Sequence, residues 1–148
     1  MKRAVALLGI AAALGWAASS DVRLIQAVRN QDETAARALL KQRIDINAQQ
    51  GDGTTALHWA AHHDNAELAD LLIRAGARVD AANDLGAAPL HIACDNGSAA
   101  MVERLLAAQA NANAKLLNGE TALMSCARTG NASAVKADRK STRLNSSH

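Results

Sequence analysis

The feature that most constrains this chain is a short motif that returns every 33 residues. It begins at Thr55, Ala88 and Thr121, where the sequence reads TALH, APLH and TALM. A glycine stands two residues before each copy, at Gly53, Gly86 and Gly119. A fixed period of this length is typical of a solenoid, in which each unit buries its apolar surface against its neighbours.

Apolar residues keep the same period beyond the motif. Pairs at positions 39–40, 72–73 and 105–106 carry it back into a segment that has no copy of the motif. At least four units are therefore begun. We place them at about residues 20–49, 50–82, 83–115 and 116–137, the last of them incomplete.

One unit predicts two short helices. The first helix begins within residues 57–61, where Ala60 and Ala61 let a neighbouring helix approach closely. Pro89 suits the first helical position of the next unit. Residues 68–73 have the three-and-four spacing of a single buried stripe, and Gly76 then ends that helix in a left-handed conformation. Such a pair cannot bury a core alone, so stacked neighbours must complete it.

The second unit resembles the ankyrin repeat. Its segments GTTALHWAA at 53–61 and LLIRAGARVDA at 71–81 follow that family's pattern of a T-P-L-H-type motif, an LL-containing helix and a G-A ending. The resemblance implies an all-α solenoid of stacked helix-turn-helix units with β-hairpin loops. It also implies that His58 and His91 hydrogen-bond backbone near the hairpins and tie units together. The structural glycines would be Gly53, Gly86, Gly119 and Gly76.

The N-terminus has the pattern of a secretory signal peptide, which we assign to residues 1–19. Lys2 and Arg3 precede an apolar run of about 15 residues, shorter than the roughly 20 that span a bilayer, and small residues offer cleavage sites near its end. An uncleaved anchor is the alternative. We expect a periplasmic or secreted protein that has no membrane contact after cleavage.

The C-terminal residues 138–148 break the repeat. The period predicts apolar residues at 138 and 139, where Asp138 and Arg139 stand, and the segment DRKSTRLNSSH matches the translation of a common short-read sequencing adapter. We expect the genuine sequence to stop near Ala137. A charged, disordered terminus is the alternative.

Charge argues against a nucleic-acid partner. The whole chain has 16 Lys and Arg and 14 Asp and Glu, but two of these cations lie in the predicted signal and three cations and one anion in the tail. What remains is 11 cations against 13 anions, a net charge of about −2, which lacks the basic patch of a nucleic-acid binder. Trp59 is the single aromatic residue of this core, so a stacking platform for single strands is missing as well.

The cysteines and histidines indicate structure more than chemistry. Cys94 and Cys126 fill small buried slots on helices of adjacent layers, which we expect to lie too far apart for a disulfide, so free thiols are predicted. A thiolate–imidazole pair of Cys94 with His91 is a minor alternative. His58 and His62 have a spacing that can seat a metal ion, but a third fixed ligand is not evident, and we expect no metal and no cofactor.

One junction departs from the pattern. Gln109 stands where Gly76 stands one unit earlier, and a left-handed residue other than glycine costs about 1 kcal/mol. Met124 replaces the histidine of the earlier units. We therefore predict that the junction between the third and fourth units is the least stable.

The resemblance implies a non-catalytic scaffold that binds a protein partner through hairpin tips and the concave helix face. We expect a monomer. The alternative is the N-terminal recognition module of a longer protein whose catalytic domain is missing. The candidate binding residues are the tip and helix-face positions Asp52, Thr54, His62, His63, Asp84, Leu85, Asp95, Asn96, Leu117, Asn118, Glu120 and Arg128.

Overall fold

The computed structural model describes residues 21–132, 135–136 and 139–140. The predicted signal peptide, residues 1–19, lies outside the described residues, as do Asp138 and residues 141–148 of the predicted tail. Two residues of that tail, Arg139 and Lys140, are helical and exposed.

The helices of residues 21–132 alternate between two layers. The first helices of the units, α1, α3, α5 and α7, pack side by side in one layer, and the second helices, α2, α4 and α6, form the other. The all-α solenoid predicted from the repeat is confirmed. The helices are α1 Arg23–Arg29, α2 Glu33–Leu40, α3 Ala56–His62, α4 Ala66–Arg74, α5 Pro89–Asp95, α6 Ala99–Ala107 and α7 Ala122–Arg128.

Small side chains bring the first helices close together. Ala60, Ala93, Cys94 and Cys126 are completely buried between neighbouring helices. The Cα atoms of Cys94 and Cys126 are 4.4 Å apart, and the two residues form a disulfide. The prediction of free thiols is therefore wrong.

The error came from expecting the two helices to keep the two Cα atoms about a helix diameter apart. They are 32 residues apart, one fewer than the period, so they lie on facing sides of α5 and α7. At the preceding junction the same two slots hold Ala61 and Ala93. Because no large side chain separates helices of this composition, the Cα atoms come within the distance that a disulfide spans.

The second helices begin at side-chain caps, and α4 and α6 end at left-handed residues. Asp32, Asn65 and Ser98 each accept a hydrogen bond from the backbone N–H three residues later, at 2.9, 3.0 and 3.2 Å. Gly76 follows α4 with φ +102°, and Gln109 follows α6 with φ +72°. The predicted left-handed conformation of Gln109 is confirmed.

The loops between units have hairpin hydrogen bonding but, within residues 21–132, form no strand beyond an isolated bridge between Lys115 and Thr121. A Cβ atom on Gly53 would lie 3.0 Å from the Cα of Asn83, so this glycine lets neighbouring hairpins approach. The backbone N–H groups that close the three hairpins donate from Gln50 to Thr54, from Asn83 to Ala87 and from Leu116 to Glu120.

Two buried histidines join each hairpin to the next. The Nε2 of His58 donates to the carbonyl oxygen of Ala87 at 2.8 Å, and the Nε2 of His91 to that of Ala114 at 3.0 Å. Each Nδ1 accepts the backbone N–H three residues earlier, which fixes the tautomer. These are the contacts between units that the family resemblance implies.

Candidate protein-binding surface

The hairpin tips form a continuous ridge. The backbone N–H of Asp84 donates to the carbonyl oxygen of Asp52 at 2.9 Å, and that of Leu117 donates to Leu85 at 3.1 Å. The side chains of Leu85 and Leu117 are 67% and 79% exposed. Two neighbouring tips therefore present apolar side chains to solvent on backbone that is already hydrogen-bonded.

Polar tip residues shape their own turns. A side-chain oxygen of Asp52 accepts the N–H of Thr54 at 3.0 Å, and one of Asn118 accepts the N–H of Glu120 at 2.9 Å. The bond from Thr54 stabilises the carboxylate and lowers the pKa of Asp52 below its ordinary value. Leu85 occupies the equivalent position in the middle hairpin and has no oxygen to offer, so it is free for other contacts.

Two of the predicted binding residues are instead engaged between units. The Nε2 of His63 donates to the carbonyl oxygen of Arg29 at 2.9 Å, and the side chain of Asn96 donates to that of Ala61 at 3.0 Å. Thr129, one unit further on, donates to Cys94 at 2.8 Å. One register position thus binds the end of the preceding first helix in three successive units, although its side chain differs each time.

Charged candidates at the C-terminal end neutralise one another. Arg128 lies 2.9 Å from a carboxylate oxygen of Asp95 and 3.3 Å from one of Glu120. The hydroxyl of Ser125 also donates to Glu120 at 3.0 Å. These three predicted residues therefore form one network whose charges already have partners.

An aromatic cluster lies at the N-terminal end of the layer formed by the first helices, on α1 and α3. The ring of His62 is 5.5 Å from that of Trp59 and nearly perpendicular to it, while the ring of His63 is 5.9 Å away and nearly parallel. The guanidinium carbon of Arg29 lies 5.4 Å from the Trp59 centroid. This geometry is a cation–π contact beside an exposed histidine.

No group of three metal-ligating side chains that could hold an ion occurs in the described part of the chain. Both ring nitrogens of His58 are used, and burial lowers its pKa below the ordinary value, so the neutral ring is favoured. None of the helices described is long and apolar enough to cross a bilayer.

Comparison with known proteins gives the family. Residues 24–116 match the family model described as ankyrin repeats, in three copies. The chain belongs to the ankyrin repeat family. A similar protein is the Ankyrin repeat and LEM domain-containing protein 1 homolog of Caenorhabditis elegans, 49% identical over 43 residues. That match covers 29% of this chain and 6% of the worm protein.

Ankyrin repeats generally mediate protein–protein interactions, and the family is typically non-catalytic. The exposed tips and first-helix positions of this ankyrin domain are therefore its candidate contact surface. The sequence analysis missed the pairing of Trp59 with Arg29. The available signal was a tryptophan at a register position that holds Gln26, Ile92 and Ser125 in the other units.

Proposed function

We propose that this ankyrin repeat protein is a non-catalytic, exported scaffold that binds a protein partner through its hairpin tips and the concave face of its first helices. The observation that carries the proposal is the exposure of Leu85 and Leu117 on adjacent tips. Full burial of one leucine side chain contributes about 1.5–3 kcal/mol, so the pair is a substantial source of binding free energy.

The hairpins that carry these leucines are held before any partner arrives. Their tips are joined by the Leu117–Leu85 backbone bond, and His91 links the middle unit to the segment that leads into the next hairpin. A preordered surface loses little conformational entropy on binding. This supports the tips as a docking ridge for a folded partner or an extended segment.

Export is supported by two independent features. Residues 1–19 have the charge and apolar run of a signal peptide. The Cys94–Cys126 disulfide belongs to the types of bond that persist in oxidising compartments and are rare in the cytosol. We therefore place the partner in the periplasm or outside the cell.

A second candidate is the N-terminal recognition module of a longer protein. The similar worm protein, of which the match covers 6%, carries its ankyrin repeats within a much longer chain. Sequencing the complete locus separates the two candidates. A stop codon within one or two further units favours the scaffold, and a long non-repeat extension favours the module.

A binding experiment tests the proposed surface. The full chain is immobilised and incubated with periplasmic extract, in parallel with a Leu85→Asp/Leu117→Asp variant and with an Ala100→Asp control at an exposed position on α6. We expect a discrete protein to bind wild type and the control but not the tip variant. Equal capture by all three would contradict the proposed role of the tips.

A further inference from the structure

Trp59 is held in place from two sides. Its indole N–H donates to the side-chain oxygen of Gln50 at 3.2 Å, which fixes the plane of the ring. His63 packs nearly parallel to it and is itself anchored to the carbonyl oxygen of Arg29. Trp59 therefore offers a preorganised, half-buried aromatic surface that needs no rearrangement to accept a ligand.

Arg29 lies over the ring of Trp59 and forms no salt bridge with a carboxylate in the described part of the chain. Within residues 21–132 the salt bridges of arginine involve positions 23, 37, 104 and 128, and Arg29 forms none. Arg128 holds the same register position three units later and is neutralised by Asp95 and Glu120. The same register position therefore carries an arginine without a salt bridge at the N-terminal end of the array and a neutralised arginine at the C-terminal end. The arginine without a salt bridge is the one that lies beside Trp59.

His62 adds a donor at the same place. It is exposed, it occupies the position of Arg29 one unit later, and its ring lies edge-on to Trp59. Among the described residues its ring nitrogens make no hydrogen bond, whereas those of His63 bind Gln31 and Arg29. A carboxylate placed beside Trp59 would meet a guanidinium fork and an imidazole N–H.

We infer that Arg29, Trp59 and His62, here called the Trp59 cluster, bind an acidic segment of the protein partner, one that carries Asp or Glu side chains. The inference rests on the proposed function and names the chemistry of its partner. Arginine stacked on an aromatic ring keeps its N–H groups free for bidentate carboxylate recognition. A nucleic acid fits less well, because a domain with a net charge of about −2 lacks the extended basic surface that follows a phosphate backbone, whereas one short acidic segment needs only the local cation.

The test uses a defined probe, an acetylated hexaglutamate peptide, titrated into the full chain. The indole N–H signal of Trp59 is followed by NMR, and the backbone N–H signals of α7, at the opposite end of the array, serve as a reference within the same molecule. We expect the Trp59 signal to shift with saturation, and Arg29→Gln to weaken the fitted affinity about tenfold, because it removes a charge-assisted hydrogen bond to the carboxylate. This substitution leaves the backbone carbonyl that His63 binds in place.

Arg74→Gln is the matched control, because it removes the same charge from an exposed position at the end of α4. It should leave the affinity unchanged. His62→Ala should weaken binding less than Arg29→Gln. Equal weakening by Arg74→Gln, absence of a Trp59 shift, or tighter binding of a hexathymidylate than of hexaglutamate would overturn the inference.

The outcomes also separate this inference from the proposed function. If a partner is captured through Leu85 and Leu117 but hexaglutamate has no effect on Trp59, the scaffold stands and the acidic segment does not. If hexaglutamate binds as expected but no protein is captured, the chemistry of the Trp59 cluster stands and the proposed scaffold fails.

Discussion

His58 donates from Nε2 to the carbonyl oxygen of Ala87, 29 residues later, across the interface between two units. Its other nitrogen accepts the backbone N–H of Thr55, so both sides of the ring are committed to the neutral form. The histidine of the repeated motif thus links two units by hydrogen bonds, and its protonation state is coupled to the stability of the array.

Acid should destabilise the protein through His58. Burial lowers its pKa in the folded state below the ordinary value of about 6.5, so the unfolded chain binds the proton more readily. The stability that the neutral ring contributes is complete above about pH 6.5 and declines as the pH falls through that value toward the lower folded pKa. Urea unfolding at pH 7.5 and 5.5 measures this loss. His58→Gln should reduce the difference between the two pH values, and an unchanged difference would contradict the assignment.

Exchanging residues at the two helix-ending positions should give opposite effects. Gln109 adopts φ +72° and Gly76 adopts φ +102°, and a Cβ added at Gly76 would have no atom within 4 Å, so backbone conformation alone sets the cost. We expect Gln109→Gly to raise the free energy of unfolding by about 1 kcal/mol and Gly76→Ala to lower it by about the same amount. Thermal or urea unfolding checks both. A loss of stability in Gln109→Gly would refute the argument.

An acceptor at position 99 should stabilise the fourth unit. The side-chain nitrogen of Asn131 is buried and has no hydrogen-bond partner among the described residues. The equivalent nitrogen of Asn65 donates to Glu33 at 2.9 Å, whereas the corresponding position for Asn131 is Ala99. Ala99→Glu should therefore add about 1 kcal/mol, with a further contribution from a negative charge in the first turn of α6. A double-mutant cycle with Asn131→Ala isolates the bond, and a coupling energy of zero would exclude it.

Removing the disulfide should expose the weakness of the last junction. Cys94→Ala/Cys126→Ala recreates the Ala61–Ala93 contact of the preceding junction, so little packing is lost, but the covalent link between the third and fourth units disappears. Loss of a disulfide costs about 2–4 kcal/mol. Hydrogen exchange should show that the amide protection of this variant falls first in α7, where Met124 stands in place of the histidine that links units at the earlier junctions. Uniform protection from α3 to α7 would show that the junction is not weak.

The periodic positions were predictable because each performs the same task in every unit. A glycine at 53 and 86, a histidine at 58 and 91 and an apolar pair at 72–73 occur at a fixed offset, so one unit predicts the others. The variable positions carry no such constraint. His63, Asn96 and Thr129 share a role although their side chains have little in common, and only their donor atoms, seen against the preceding helix, identify it.

The sequence by itself determined the solenoid, its period and the residues that end α4 and α6, since a 33-residue repeat and local backbone preferences suffice for these. Tertiary structure alone decided which surface groups are already engaged. The distance between Cys94 and Cys126 depends on how closely Ala-rich helices stack, and the charge left free at Arg29 depends on where every carboxylate lies. Both depend on how neighbouring units pack against each other, and the sequence of a single repeat does not determine that packing.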